Sequence, residues 1–82
     1  MYKIILVKRA IKDLDKLDED AKGRIKEKIK LLKDNPASNS RKLSNPFIGS
    51  YRFRVGDYRI IFDIDKDKVV ILRIGHRKDI YK

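Results

Sequence analysis

The period of apolar residues changes several times along the chain, and each change marks an element. Tyr2 to Val7, YKIILV, is apolar and rich in β-branched side chains, which predicts a buried strand. Ala10, Ile11, Leu14 and Leu17 then recur at helical spacing and predict a short helix from about Lys8 to Leu17. Asp18 is a natural N-cap for a second helix. Glu19 and Asp20 fall in its first turn, where the helix dipole favours acids, and Ala21, Ile25, Ile29 and Leu32 form its apolar stripe. It should stop at Asn35-Pro36, because a residue ahead of proline is pushed out of the helical region. Lys22, Lys26, Lys30 and Lys33 lie off the stripe, either as a solvated face or as one that meets phosphate.

From Asn35 to Ser50 turn formers dominate and predict a long loop, with Leu43 and Phe47 as anchors to the core. Three strands follow, at about Ser50 to Val55, Tyr58 to Ile64 and Lys68 to Ile74. A two-residue loop at Gly56-Asp57 joins only antiparallel neighbours and fixes their register. Val55 then faces Tyr58, Arg54 faces Arg59, Phe53 faces Ile60, Arg52 faces Ile61 and Tyr51 faces Phe62. Alternation puts Tyr51, Phe53, Val55, Tyr58, Ile60, Phe62 and Ile64 on one side, under the helices, and the arginines on the other. The expected fold class is α+β, in the order β-α-α-β-β-β, with an antiparallel sheet and two helices packed on one face.

With 82 residues the chain has room for a single domain, 1–82, whose active site is a surface cleft rather than a deep cavity. It has no cysteine, which removes disulfides and thiolate metal sites, and no apolar run approaches the length of a membrane span. A cytoplasmic protein is expected. Its 22 Lys+Arg against 12 Asp+Glu give a formal charge of +10, which favours polyanionic partners such as nucleic acid, the ribosome or an acidic protein, the alternative being a lysine-rich solubilising surface.

Charge patterning sharpens this. Like charges opposite one another in a sheet cost something on the order of 0.2–1 kcal/mol, so Arg54 against Arg59 is not a choice made for pairing alone. If the next turn uses Asp65-Lys66-Asp67, Arg73 falls opposite Arg59 and enlarges the cluster, with Arg77 just beyond the last strand; a two-residue turn sends Arg73 inward. The arginines either lay their stems over Ile61, Val69 and Ile71 and pair with Asp63, or converge on phosphate, which guanidinium grips with planar paired donors. One histidine and no cysteine assemble no metal cluster, and no Gly-rich phosphate loop is present. No cofactor or metal is expected. Cleavage of RNA by its own 2′-hydroxyl fits what remains: the substrate supplies the nucleophile, guanidinium groups offset charge on the phosphate, and His76 is of the side-chain type suited to moving a proton near neutrality.

YKIILVKRAIKDLDKL at the start, RKLSNPFIGSYRFRVGDYRIIFDI in the middle and ILRIGHRKDIYK at the end closely resemble the RelE/ParE superfamily of toxins, RelE-like mRNA interferases in particular, over essentially the whole chain. The resemblance implies the RelE-like fold and a ribosome-dependent endoribonuclease that cuts message in the A site, arrests translation and is neutralised by a cognate RelB-like antitoxin. It also implies a catalytic set of Arg52, Arg54, Arg59, His76, Arg77 and Tyr81, with Arg73, Lys78 and Lys82 contacting RNA. Arg52 and Arg54 stand where RelE-like enzymes often have lysine; arginine does not give up its proton, so a lysine-base mechanism does not transfer. His76 becomes the expected base, with Arg77 on the phosphate and Tyr81 stacking on a base or orienting the 2′-hydroxyl. Two other readings stay open: a ParE-like toxin that poisons DNA gyrase, and a non-catalytic relative that binds antitoxin or ribosome.

Overall fold

The computed structural model describes residues 1–36, 51–80 and, for the backbone alone, 41–42. The elements run β1 (Lys3–Leu6), α1 (Lys8–Asp15), α2 (Glu19–Leu32), β2 (Arg41–Lys42), β3 (Tyr51–Val55), β4 (Tyr58–Asp65) and β5 (Lys68–His76). They form a five-stranded sheet in the order β1-β5-β4-β3-β2. The α+β class holds, with two corrections. β1 joins β5 in parallel, so the sheet is mixed, and the segment expected to be pure loop contributes β2, which pairs antiparallel with β3. Leu43 and Phe47 lie outside the described residues. Among those described, no helix is long and apolar enough to cross a membrane.

α2 follows its sequence pattern. Asp18 caps it by accepting the Ala21 N–H at 2.8 Å, and Ala21, Ile25, Ile29 and Leu32 are its buried positions. Ile25, Ile29 and Leu32 pack with Ala10, Phe53, Val55, Ile60, Phe62, Val69, Ile71 and Ile74 in one core. Tyr51, Tyr58 and Ile64 close its margin, so the face expected to lie under the helices does so. The β3–β4 register is the expected one at every pair. Gly56 takes φ of 59° as the first central residue of the two-residue turn, where a type II′ hairpin needs glycine.

α1 departs from expectation. Ile11 is 47% exposed, and the carboxylate of Asp13 is buried instead. β1 is likewise not a buried strand: it lies at the sheet edge, with Lys3 and Ile5 exposed and Ile4 and Leu6 turned to the core. Its last contact with β5 is the Val7 N–H on the Ile71 carbonyl, at 3.1 Å. Past that point no strand among the described residues flanks β5 on this side, and α1 takes over: Asp13 Oδ2 accepts the Ile74 N–H at 3.1 Å and the Arg73 Nε–H at 2.8 Å. Arg9, one turn back on α1, brings its Nε to 3.7 Å from the other carboxylate oxygen. A helix side chain thus satisfies backbone that an absent strand would have paired.

Asp13→Ala orphans a buried N–H and a partly buried guanidinium, so it should destabilise the chain by about 2–4 kcal/mol, whereas Asp13→Asn, which keeps an acceptor, should lose about half of that. Urea-unfolding midpoints measure the difference; equal midpoints for both variants and the parent would refute this role. At Gly56 a Cβ would come no closer than 4.0 Å to any neighbour, so Gly56→Ala isolates the backbone conformation and should lower stability by about 1 kcal/mol in the same assay.

Candidate active site

Three strand ends meet at one corner of the sheet. Arg54 near the end of β3 pairs with Arg59 near the start of β4, Arg59 pairs with Gly75, and Tyr58 pairs with His76 at the end of β5. The Arg77 N–H donates to the Asp57 carbonyl at 2.8 Å, tying the chain beyond β5 to the β3–β4 turn. A tight turn follows, in which the Asp79 and Ile80 N–H groups both donate to the His76 carbonyl. Gly75 has no side chain where it faces this turn. Ile80 fills that space, within 3.6 Å of where a Cβ would stand, and is 3% exposed.

The arginines divide by partner. Arg59 is 6% exposed, and its Nη1 donates at 2.9 Å to the carbonyls of both Gly56 and Tyr58. Its charge is spent partly on the turn it helps to shape, which relieves the like-charge pairing with Arg54. Arg52 is half-buried and already engaged in a polar or electrostatic contact. Arg54 and Arg77 are exposed, and among the described residues no ion pair holds either. Lys78 is exposed as well; Tyr81 and Lys82 lie outside the described residues.

Arg73 does not reach the cluster. The turn before β5 is the two-residue one, Lys66-Asp67, but a bulge shifts the register so that Phe62 pairs with Ile71 and Ile61 with Arg73, leaving Leu72 as the extra residue. Arg73 therefore sits opposite Ile61 rather than Arg59, and its guanidinium is held by Asp13.

His76 is oriented from two sides. Its ring meets Tyr58 edge to face, with centroids 5.7 Å apart and planes at 82°, and its Nδ1 accepts the Lys78 N–H at 3.2 Å. With Nδ1 occupied as an acceptor, the neutral ring carries its proton on Nε2. Beside it opens a cleft of about 500 Å³ between α1 and the end of β5, lined by Arg9, Lys16, Leu17, Tyr58, Ile74 and Ile80 among others. No group of three or more His, Cys, Asp or Glu side chains among the described residues is arranged to hold a metal ion.

Two residues near the corner carry no sequence signal. Asp13 is masked by the assumption that a helical acid faces solvent. Arg24 of α2 brings Nη1 to 4.0 Å from the Cβ position of Gly56, a proximity that only the packing of α2 against β3 creates.

The ParE toxin family of type II toxin–antitoxin systems, parDE, matches residues 4–81. Toxin RelE3 of Methanocaldococcus jannaschii is 32% identical over 83 residues, covering 96% of this chain and 94% of that protein. Among solved structures, the RelBE2 toxin–antitoxin complex of Mycobacterium tuberculosis contains a chain that superposes with a TM-score of 0.84 at 30% identity, covering 93% of this chain and 98% of that one. A chain of the chromosomal ParDE system of P. aeruginosa shares the fold, with a TM-score of 0.77 at 19% identity and coverage of 93% and 96%. With its corner of arginines on a RelE-like sheet, this chain belongs to the RelE/ParE superfamily and is a toxin of a type II toxin–antitoxin system.

Proposed function

We propose that this toxin is a ribosome-dependent endoribonuclease that cleaves message in the A site, acts in the cytoplasm without cofactor or metal, and is held in check by a cognate RelB-like antitoxin. The observation that carries the reading is the corner itself: exposed Arg54 and Arg77 at the strand ends where Arg59 is fixed on the turn carbonyls, with the His76 imidazole at the same ends, against Tyr58 on the helix side of the sheet. In the reaction the 2′-hydroxyl attacks the adjacent phosphorus, the bond to the 5′-oxygen breaks, and a 2′,3′-cyclic phosphate and a 5′-hydroxyl result. Charge builds on the non-bridging oxygens, where Arg54 and Arg77 act as permanent donors and Arg52 and Arg59 support the field. Tyr81 and Lys82 complete the RNA contacts together with Lys78. Arg73, committed to Asp13, contributes by shaping β5.

The orientation of His76 suits a different proton step from the one its sequence position implied. With the Lys78 N–H on Nδ1, the ring presents Nε2–H to the departing 5′-oxygen as a hydrogen-bond donor. To hand that proton over as a general acid, the ring must itself be protonated at Nδ1, which breaks the Lys78 bond; acting as base through Nδ1 requires giving up the same bond. The 2′-hydroxyl proton then passes to water or to a group of the ribosomal site, which gives the ribosome a chemical role as well as a docking one.

Arg54→Ala and Arg77→Ala should each lower message cleavage by about 10²-fold while the thermal midpoint stays within a degree or two of the parent. Mapped breaks in a purified translation system measure this, and undiminished cutting by both variants would end the nuclease reading. His76→Ala should cut an ordinary message slowly yet recover most of its rate on a substrate with sulfur in place of the bridging 5′-oxygen, because a thiolate leaves without a proton. No recovery would return His76 to the role of base. One observation favours a second reading, gyrase poisoning: the family matched along the chain is that of ParE. A supercoiling assay with the same preparation separates the two, since inhibition of gyrase without message cuts selects it.

A further inference from the structure

The cleft between α1 and β5 lies beside His76 but outside the arginine cluster. Leu17, Ile74 and Ile80 are its apolar lining residues, and the Tyr58 and His76 rings, in edge-to-face contact, line it as well. Three cations line it, and they are not equivalent. Asp13 takes Arg73 at 2.8 Å on one oxygen and Arg9 at 3.7 Å on the other; one carboxylate against two guanidinium groups leaves a net positive charge, which lies on the side of Arg9, 65% exposed, and to which the exposed Lys16 adds. Arg9 and Lys16 are seven residues apart and so share one face of α1 at the mouth of the cleft. At about 500 Å³ the space is of small-ligand size. Apolar side chains beside an aromatic wall suit a heterocyclic ring, and two exposed cations, one of them only weakly held by a shared carboxylate, suit a phosphate. Asp79 also lines the cleft, but it is already engaged in a contact of its own.

We infer that this cleft binds one nucleotide unit of single-stranded RNA, its base against Leu17, Tyr58 and Ile74 and its phosphate between Arg9 and Lys16. As the seat of a nucleotide flanking the cut, it rests on the nuclease reading, because His76 stands at its inner end. A cleft of about 500 Å³ lined by two aromatic rings favours a nucleotide over an extended acidic peptide, which the same two cations would also attract.

The test is an NMR titration of the ¹⁵N-labelled full chain with adenosine 5′-monophosphate and uridine 5′-monophosphate, with inorganic phosphate in parallel. Saturable shifts should appear at the amides of Leu17, Tyr58, Ile74 and Gly75, with weaker binding of phosphate. The double variant Arg9→Gln, Lys16→Gln, which removes both charges without setting a new carboxylate beside Asp13, should bind about tenfold more weakly or worse while its ¹⁵N spectrum keeps the dispersion of the parent. Absent shifts, shifts confined to the Arg54–Arg59 corner, or undiminished binding by the double variant would each overturn the inference. So would an acidic peptide that perturbs these amides where the mononucleotides do not. Mapped message cleavage separates the two claims: nucleotide binding here in a chain that cuts no message refutes the nuclease reading and leaves the cleft, whereas cutting by a chain whose cleft takes no nucleotide refutes only the cleft.

Discussion

A buried carboxylate on a short helix organises much of this small protein. β1 accompanies β5 only as far as Ile71, and the backbone beyond that point would face solvent or a void if Asp13 did not accept the Ile74 N–H. The same oxygen holds Arg73, so the helix is fastened to the strand by backbone and side chain together. A buried charge is tolerable only when its partners come with it, and here the sheet supplies both. Because Asp13 fixes how far α1 stands from β5, it also sets the width of the cleft that the two elements enclose.

It further decides which cations remain available. The chain is strongly basic, yet its arginines have unequal duties. Arg73 answers Asp13, and Arg59 lays its guanidinium on the carbonyls of the β3–β4 turn, where it serves the hairpin before it serves any ligand. Arg54 and Arg77 are left at the surface, at a corner held closed by the Arg77 N–H on Asp57. The crowding of like charge across β3 and β4 therefore has a partly internal explanation. Arg54 can stand opposite Arg59 because the head of Arg59 is turned to oxygen rather than toward its neighbour.

What could be read from the sequence was what short-range chemistry determines. Gly56-Asp57 admits one kind of hairpin, and every pair from Tyr51–Phe62 to Val55–Tyr58 followed from it. Asp18 and the stripe from Ala21 to Leu32 gave α2 its cap and its buried face. The partner of β1 was not legible, since a parallel neighbour more than sixty residues away leaves no local mark. Nor was the bulge at Leu72, because Leu-Arg-Ile alternates as well in one register as in the other, and only the pairing with β4 shows that Arg73 faces Ile61. In α1, Ile11 left its expected place in the apolar stripe and Asp13 is buried for a related reason. The periodicity of apolar residues cannot register a demand for an acceptor that arises on a distant strand.

The division of the arginines bears on how such a small surface could meet a large polyanion. With Arg59 and Arg73 committed internally, a corner of so few exposed guanidinium groups is suited to stabilising one phosphate but contributes only a small part of the counterion release that drives association with RNA. The lysines of α2 that lie off its buried stripe, Lys26 and Lys30 among them, are exposed on a different part of the molecule. Their field draws a polyanion without specifying a linkage, as diffuse charge does. On the nuclease reading, attraction and chemistry are thus carried by separate cations. That separation lets the corner keep its geometry under the constraint of Asp57, Gly75 and Ile80, while diffuse attraction sets no requirement on the exact position of any one lysine on the helix surface.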